Sequence, residues 1–278
     1  MQMDNALETL CVPSDAKNIL RRVLKVASSD NIFIKQSVKD LFIISPHDVN
    51  LSKFARVYES IIVGNKIYRM FGKTTYLELA FPKNASPREL EEFYNSPKLA
   101  AATTNDYTGV FLISFEQWNS YQELVRDSSF NGLVKFIENN KQNISYIFHV
   151  MPDFSNAERL FLHLSNYINL LEVELRMPNL EDAIEYIEKI LQKANISLMN
   201  SECKLKELLL NGIDNGESPH FSYTELDQLA ANIVFELVCS CETQANGTWM
   251  LDDKTMDKLT DTLSICGGKE TYTKIGFR

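Results

Sequence analysis

Residues 41–64 read LFIISPHDVNLSKFARVYESIIVG, and the way this stretch divides decides the fold. Leu41-Phe42-Ile43-Ile44-Ser45 is a continuous apolar run of the kind buried on both faces of a parallel sheet. Pro46-His47-Asp48-Val49-Asn50 interrupts it as a loop, and Asn50 has the side chain to cap a helix. From Leu51 the period changes. Phe54, Val57, Tyr58, Ile61 and Ile62 recur at helical spacing to about Val63, and Gly64 supplies a stop.

The same alternation of strand and helix extends in both directions. Upstream, Ser14-Asp15 opens a helix to Ala27 with Ile19, Leu20, Val23 and Val26 inside and a solvated stripe of Lys17, Arg21, Arg22 and Lys25 outside. Asn31-Ile32-Phe33-Ile34 reads as a short edge strand. Downstream, a second strand is expected over 73–81 and a helix from the capping box Ser86-Pro87-Arg88-Glu89 to Tyr94. A third strand runs from Gly109 to Phe115 with Glu116 just past its end, followed by one or two helices to Asn139. The fourth strand is Ile144 to Val150. Ser155-Asn156-Ala157-Glu158 reads as another capping box, opening a helix to Leu164, and the fifth strand is Ile168 to Leu175. This order predicts an α/β fold: five parallel strands with helices on both faces. From Pro178 the pattern is helical only, over 179–194, 201–210, 222–239 and 252–263, with a turn-rich stretch from Asn211 to Gly216. Two domains are therefore expected, an α/β core at 1–177 and a small helical domain at 178–278.

Composition narrows the function. A net charge of −9 and a pI near 5.1 argue against a general nucleic-acid or anionic-membrane surface, though not against one local basic face. No apolar run reaches membrane-spanning length, and MQMDNALETL lacks the basic start and apolar core of a secretory signal, so a cytoplasmic location is expected. The five cysteines, Cys11, Cys203, Cys239, Cys241 and Cys266, suit reduced thiols, and Cys239-Ser240-Cys241 has no second pair to complete a zinc site. His47, His149, His163 and His220 are far apart in sequence, and no G-x-S-x-G elbow nominates a nucleophile. Trp118, Tyr121 and Trp249 are assigned to packing in preference to a partner surface. Gly72-Lys73-Thr74 matches the end of the phosphate-loop motif G-x-x-x-x-G-K-[ST], but Ile67 stands where the first glycine belongs and a strand follows where a helix should.

Five parallel strands followed by a helical lid resemble the AAA+ superfamily of P-loop ATPases, over roughly residues 6–238, and more narrowly its bacterial Rubisco-activase-like group. The resemblance puts the phosphate loop at Ser45-Pro46-His47-Asp48-Val49-Asn50-Leu51-Ser52, where only Ser52 keeps the motif. Ser45 and Asn50 replace its glycines, Leu51 replaces the lysine that meets the β and γ phosphates, and Asp48 adds a negative charge. Lys53, two positions past Leu51, is turned roughly 200° around the helix and does not substitute for the missing lysine. The Walker B position reads Phe115-Glu116, which leaves Glu116 without the aspartate that holds magnesium. His149 stands at the sensor position, where a structural role is the default. Leu164-Ser165-Asn166-Tyr167 offers no arginine finger, and Ser222-Tyr223-Thr224-Glu225-Leu226 lacks the lid arginine. The resemblance thus implies a pocket that no longer hydrolyses ATP, with no cofactor, in a module that acts on a protein partner, such as an active AAA+ ATPase. Two alternatives remain at this point. One is a divergent ATPase using ATP and magnesium through Ser52, Lys53 and Glu116. The other is a clamp-loader-like subunit, for which the roughly 40 residues after Val238 are short of a collar domain.

Overall fold

The computed structural model describes residues 7, 10, 12–46, 51–65, 67, 74–95, 108–198, 202–210, 221–240 and 249–251. The chain divides into two compact units, Met1–Arg176 and Met177–Arg278. In the first unit the elements are α1 (Ser14–Ala27), α2 (Ile32–Lys35), β1 (Asp40–Ile44), α3 (Leu51–Gly64), β2 (Thr74–Ala80), α4 (Pro87–Tyr94), β3 (Thr108–Ser114), α5 (Tyr121–Arg126), α6 (Ser128–Asn140), β4 (Ile144–Val150), α7 (Ala157–Ser165) and β5 (Leu170–Glu174). The five strands pair in parallel in the order β2-β3-β4-β1-β5.

Side-chain alternation along these strands sorts the core into two layers. Phe42, Phe111, Ile113, Tyr146, Phe148 and Val150 share one cluster with Leu124 of α5, Phe130, Leu133 and Ile137 of α6, and Leu160 and Leu164 of α7. Each such side chain stabilises the fold by about 1.5–3 kcal/mol when fully covered. Leu41, Ile43, Val110, Leu112, Ile147 and His149 have the opposite parity and are also buried. On the second layer α1 packs against α3, and α3 packs against β2 and β3. The expected sheet covered on both faces is therefore present.

Local chemistry sets most boundaries. Ser86 and Glu89 form a reciprocal capping box, with the Ser86 N–H donating to Glu89 Oε2 at 2.7 Å and the Glu89 N–H to Ser86 Oγ at 3.3 Å. The region after β3 holds two helices because Ser120 caps α5 and Asp127 accepts the Ser129 N–H at 2.8 Å to start α6. Three expectations for this unit are corrected. Lys17, expected on the solvated stripe of α1, is buried at 8% exposure. Residues 31–34 form no strand: Asn31 Oδ1 accepts the Phe33 N–H at 2.9 Å and turns the chain into α2. The box at Ser155 does not form either, since Ser155 bridges in parallel to Ser120, and Asn156 precedes α7 in the left-handed region at φ 63° with no side-chain cap.

The second unit contains α8 (Leu180–Lys193), β6 (Ile196–Leu198), α9 (Glu202–Leu210), α10 (Tyr223–Ser240) and β7 (Trp249–Leu251). Asn179 and Asp182 form the box that opens α8, and Ser222 and Glu225 the one that opens α10. The Tyr186 hydroxyl donates to Asp227, tying α8 to α10. Helices alone are expected here, but β6 and β7 add a short parallel pair. Asn195, at φ 58°, ends α8 and turns the chain, and its carbonyl accepts the Trp249 N–H at 2.9 Å. The helix expected over 252–263 and the turn from Asn211 to Gly216 lie outside the described residues, as do Gly72 and Lys73. No helix among the described residues is long and apolar enough to cross a membrane.

Candidate functional site

Ligands of open parallel sheets collect beyond the carboxyl ends of the strands. At that edge of the first unit lies a cavity of about 330 Å³ lined by residues from β1, α3, β2, β3 and β4, or just past their ends. Pro46, Leu51, Ser52, Glu116 and His149, of the positions singled out in the sequence, line it. So do Glu78 and Ser114, which the sequence reading passed over. His47, Asp48, Val49 and Asn50 lie outside the described residues.

His149 is the best-fixed group in the site. Its residue is 1% exposed, and Nε2 lies 3.0 Å from the carbonyl oxygen of Ser45. A carbonyl can only accept, so Nε2 carries a proton and Nδ1 faces the cavity side chains. Nδ1 lies 2.9 Å from Ser114 Oγ and 3.5 Å from Glu116 Oε1. In the neutral ring Nδ1 accepts the Ser114 hydroxyl proton. Ser114 and His149 are register partners on adjacent strands, which is what brings them together. Ser45 is fully buried; its carbonyl serves His149, while its hydroxyl has no partner among the described residues.

Ser52, at the start of α3, is committed to β2. Its hydroxyl donates to Glu78 Oε2 at 3.0 Å, and the Tyr76 hydroxyl donates to Glu78 Oε1 at 2.9 Å. Burial, and then the bond to Glu78, push the Tyr76 phenol well above its ordinary range, so it stays a donor. The Arg56 guanidinium lies 3.9 Å from the centre of the Tyr76 ring and pairs with Glu59 at 3.1 Å. No lysine or arginine is among the described residues lining the cavity. Lys53 is exposed and is not part of the lining. Among the described residues no three His, Cys, Asp or Glu side chains converge as a metal site.

Phe115 does not face this cavity. It is fully buried on the opposite side of the sheet, its ring 5.3 Å from Phe81 and 6.3 Å from Phe148. The cavity-facing positions at the end of β3 are Ser114 and Glu116, two apart on one side of the strand. The remaining aromatic candidates also pack: Trp118 is 2% exposed with its indole N–H donating to the Phe81 carbonyl at 3.3 Å, and the Tyr121 hydroxyl meets His163 Nδ1 at 2.9 Å. Cys239 is a free, exposed thiol.

No protein-family model matches the sequence, and no curated protein matches it either. Solved structures do resemble the fold. The Thermotoga maritima RuvB Holliday junction branch migration motor is similar at 10% identity and a TM-score of 0.51, covering 91% of this chain and 70% of that one. A chain of the Escherichia coli MS115-1 HORMA:CdnC:Trip13 complex is similar at 11% identity and TM-score 0.51, covering 95% and 87%. The FIGL-1 AAA domain is similar at 11% identity and TM-score 0.50, covering 93% and 83%. The chain thus has the α/β fold of AAA+ ATPases, which identities this low establish as architecture alone.

Proposed function

We propose that this chain is a non-catalytic, cytoplasmic AAA+-like module that serves as a protein-interaction or regulatory subunit, acting on a protein partner such as an active AAA+ ATPase. One observation carries the reading: the Ser52 hydroxyl, the only phosphate-loop position retained, is bound by the Glu78 carboxylate inside a cavity whose described lining has no cation. Magnesium-ATP fits these residues poorly. In the working fold that hydroxyl meets magnesium and a lysine meets the phosphates. Here Leu51 supplies no charge, and Glu78 and Glu116 add negative charge where anionic oxygens would enter. His149, donating to a backbone carbonyl, is spent on structure. A similar fold occurs in a complex with protein partners, which is consistent with a protein partner, and the net charge of −9 argues against a nucleic acid. The narrower likeness to the Rubisco-activase-like bacterial group belongs to the same proposal.

The test is calorimetric titration of the purified chain with magnesium-ATP beside a Leu51→Lys variant. No heat from the parent at millimolar nucleotide is the expected result. Micromolar binding, or magnesium-dependent hydrolysis abolished by Glu116→Gln, would favour the divergent ATPase and overturn the proposal.

A further inference from the structure

The short helix α2 presents Ile32, Phe33 and Ile34 to solvent at 62%, 79% and 45% exposure. Single exposed hydrophobic residues are ordinary on a surface, whereas a contiguous large apolar patch marks an interaction site. The turn is anchored: Asn31 caps it, Lys35 Nζ donates to the Asn65 carbonyl at 3.3 Å, and α2 packs against α1. The sequence that flanks it is cationic. Residues 18–39 hold five Lys or Arg and one carboxylate, Asp30, in a chain whose net charge is −9. Arg22 and Lys25 lie on the exposed side of α1, and Lys39 is exposed just beyond α2.

We propose that α2 is the anchor of a docking surface for an acidic amphipathic segment of a protein partner. Phe33 enters the apolar side of that segment, and Arg22, Lys25 and Lys39 meet its carboxylates. The charge around the anchor selects the sign of the partner, and a central aromatic is the usual energetic focus of such a contact. A protein is favoured over lipid because the apolar element is one four-residue turn, shorter than the helices that lie in membrane interfaces. The proposal extends the partner reading above but uses no cavity residue, so nucleotide binding, found or not, leaves it standing.

The test uses fluorescence anisotropy with a labelled amphipathic peptide carrying leucine on one face and glutamate on the other. A peptide with lysine in place of glutamate is the control. Saturable binding of the acidic peptide is expected, weakened about tenfold or more by Phe33→Asp and by added salt. Phe33 is outside the core, so the variant should melt at the parent temperature, which separates lost docking from lost folding. Absence of binding, equal binding of the lysine peptide, or indifference to Phe33→Asp would overturn the proposal. So would Phe33-dependent association with phosphatidylserine vesicles, which assigns the patch to lipid, or Phe33-dependent self-association in sedimentation, which assigns it to a second copy.

Discussion

Replacing Asp40 by asparagine should stabilise the first unit at alkaline pH. Asp40 begins β1, and its Oδ1 accepts the Tyr146 N–H of the neighbouring strand at 2.9 Å. The residue is partly exposed but its carboxyl is enclosed, and burial pushes it up to about 7 from an ordinary 3.8, against the lowering effect of hydrogen bonds from Tyr146 and Ser145. That gap corresponds to about 4 kcal/mol. The sign follows from where the proton sits. Below a pH of about 4 the carboxyl is protonated in both folded and unfolded chains, and ionisation costs the fold nothing. Between there and neutrality only the unfolded chain ionises, so unfolding releases a proton and stability falls as pH rises. Above a pH of about 7 the full penalty is in place. Asparagine keeps the amide oxygen for Tyr146 and removes the charge. The assay is urea unfolding at a series of pH values in a Trp249→Phe background, so that buried Trp118 reports on the first unit. At acid pH parent and variant should agree within about 1 kcal/mol, and at alkaline pH the variant should be more stable by up to about 4 kcal/mol. Parallel stability curves, or a variant that is weaker at alkaline pH, would refute the assignment.

Two further outcomes test the site geometry. Ser114→Asp should remain folded because the side chain opens onto the cavity, whereas Phe115→Asp places a carboxylate among Phe81 and Phe148 and should cost more than about 4 kcal/mol, both read by circular dichroism melts. Equal tolerance of the two would mean that β3 is in the other register. His149→Ala leaves the Ser45 carbonyl and the Ser114 hydroxyl without their partner and should cost at least about 2 kcal/mol in urea, and a variant as stable as the parent would argue against the structural role.

What could be read from the sequence was what short-range chemistry fixes. The strand at Leu41, the helix at Leu51 and the boxes at Ser86 and Ser222 depend on neighbours within a few residues, and they stand where the spacing puts them. The failures share a different cause. Ser155 has the letters of a capping box, but the bridge to Ser120, 35 residues earlier, takes its backbone first. Residues 31–34 have strand formers, yet one local bond to Asn31 outweighs their propensity, with no strand among the described residues pairing them. In the site, Glu78 reaches Ser52 from a strand 26 positions later, a contact no local pattern encodes. Ser114 was within reach. It is the one polar residue in an apolar run, and the two-residue period of a strand puts it on the same side as Glu116 and opposite Phe115.

On the proposed reading the cavity departs from a phosphate site in two ways that act through different physics, and a double variant separates them. Leu51 removes an attraction by standing where a lysine would meet phosphate, whereas the Glu78 carboxylate on Ser52 adds a repulsion. A pair of unit charges about 5 Å apart at an effective dielectric near 20 is worth about 3 kcal/mol, so each departure alone is large enough to weaken binding by about a hundredfold. Leu51→Lys by itself should therefore recover little, because the new ammonium meets Glu78 before it meets a nucleotide. Glu78→Gln by itself lifts the repulsion and restores no cation. Only the double variant combines both gains, and the coupling between the two sites should be read as a non-additive change in magnesium-ATP affinity by calorimetry. Even then, on the same reading, Ser45 and Asn50 stand in place of the motif's glycines, so millimolar and not micromolar binding is expected. Micromolar binding by Leu51→Lys alone would show that Glu78 moves aside when a cation arrives, and the electrostatic argument for an inactive pocket would fail.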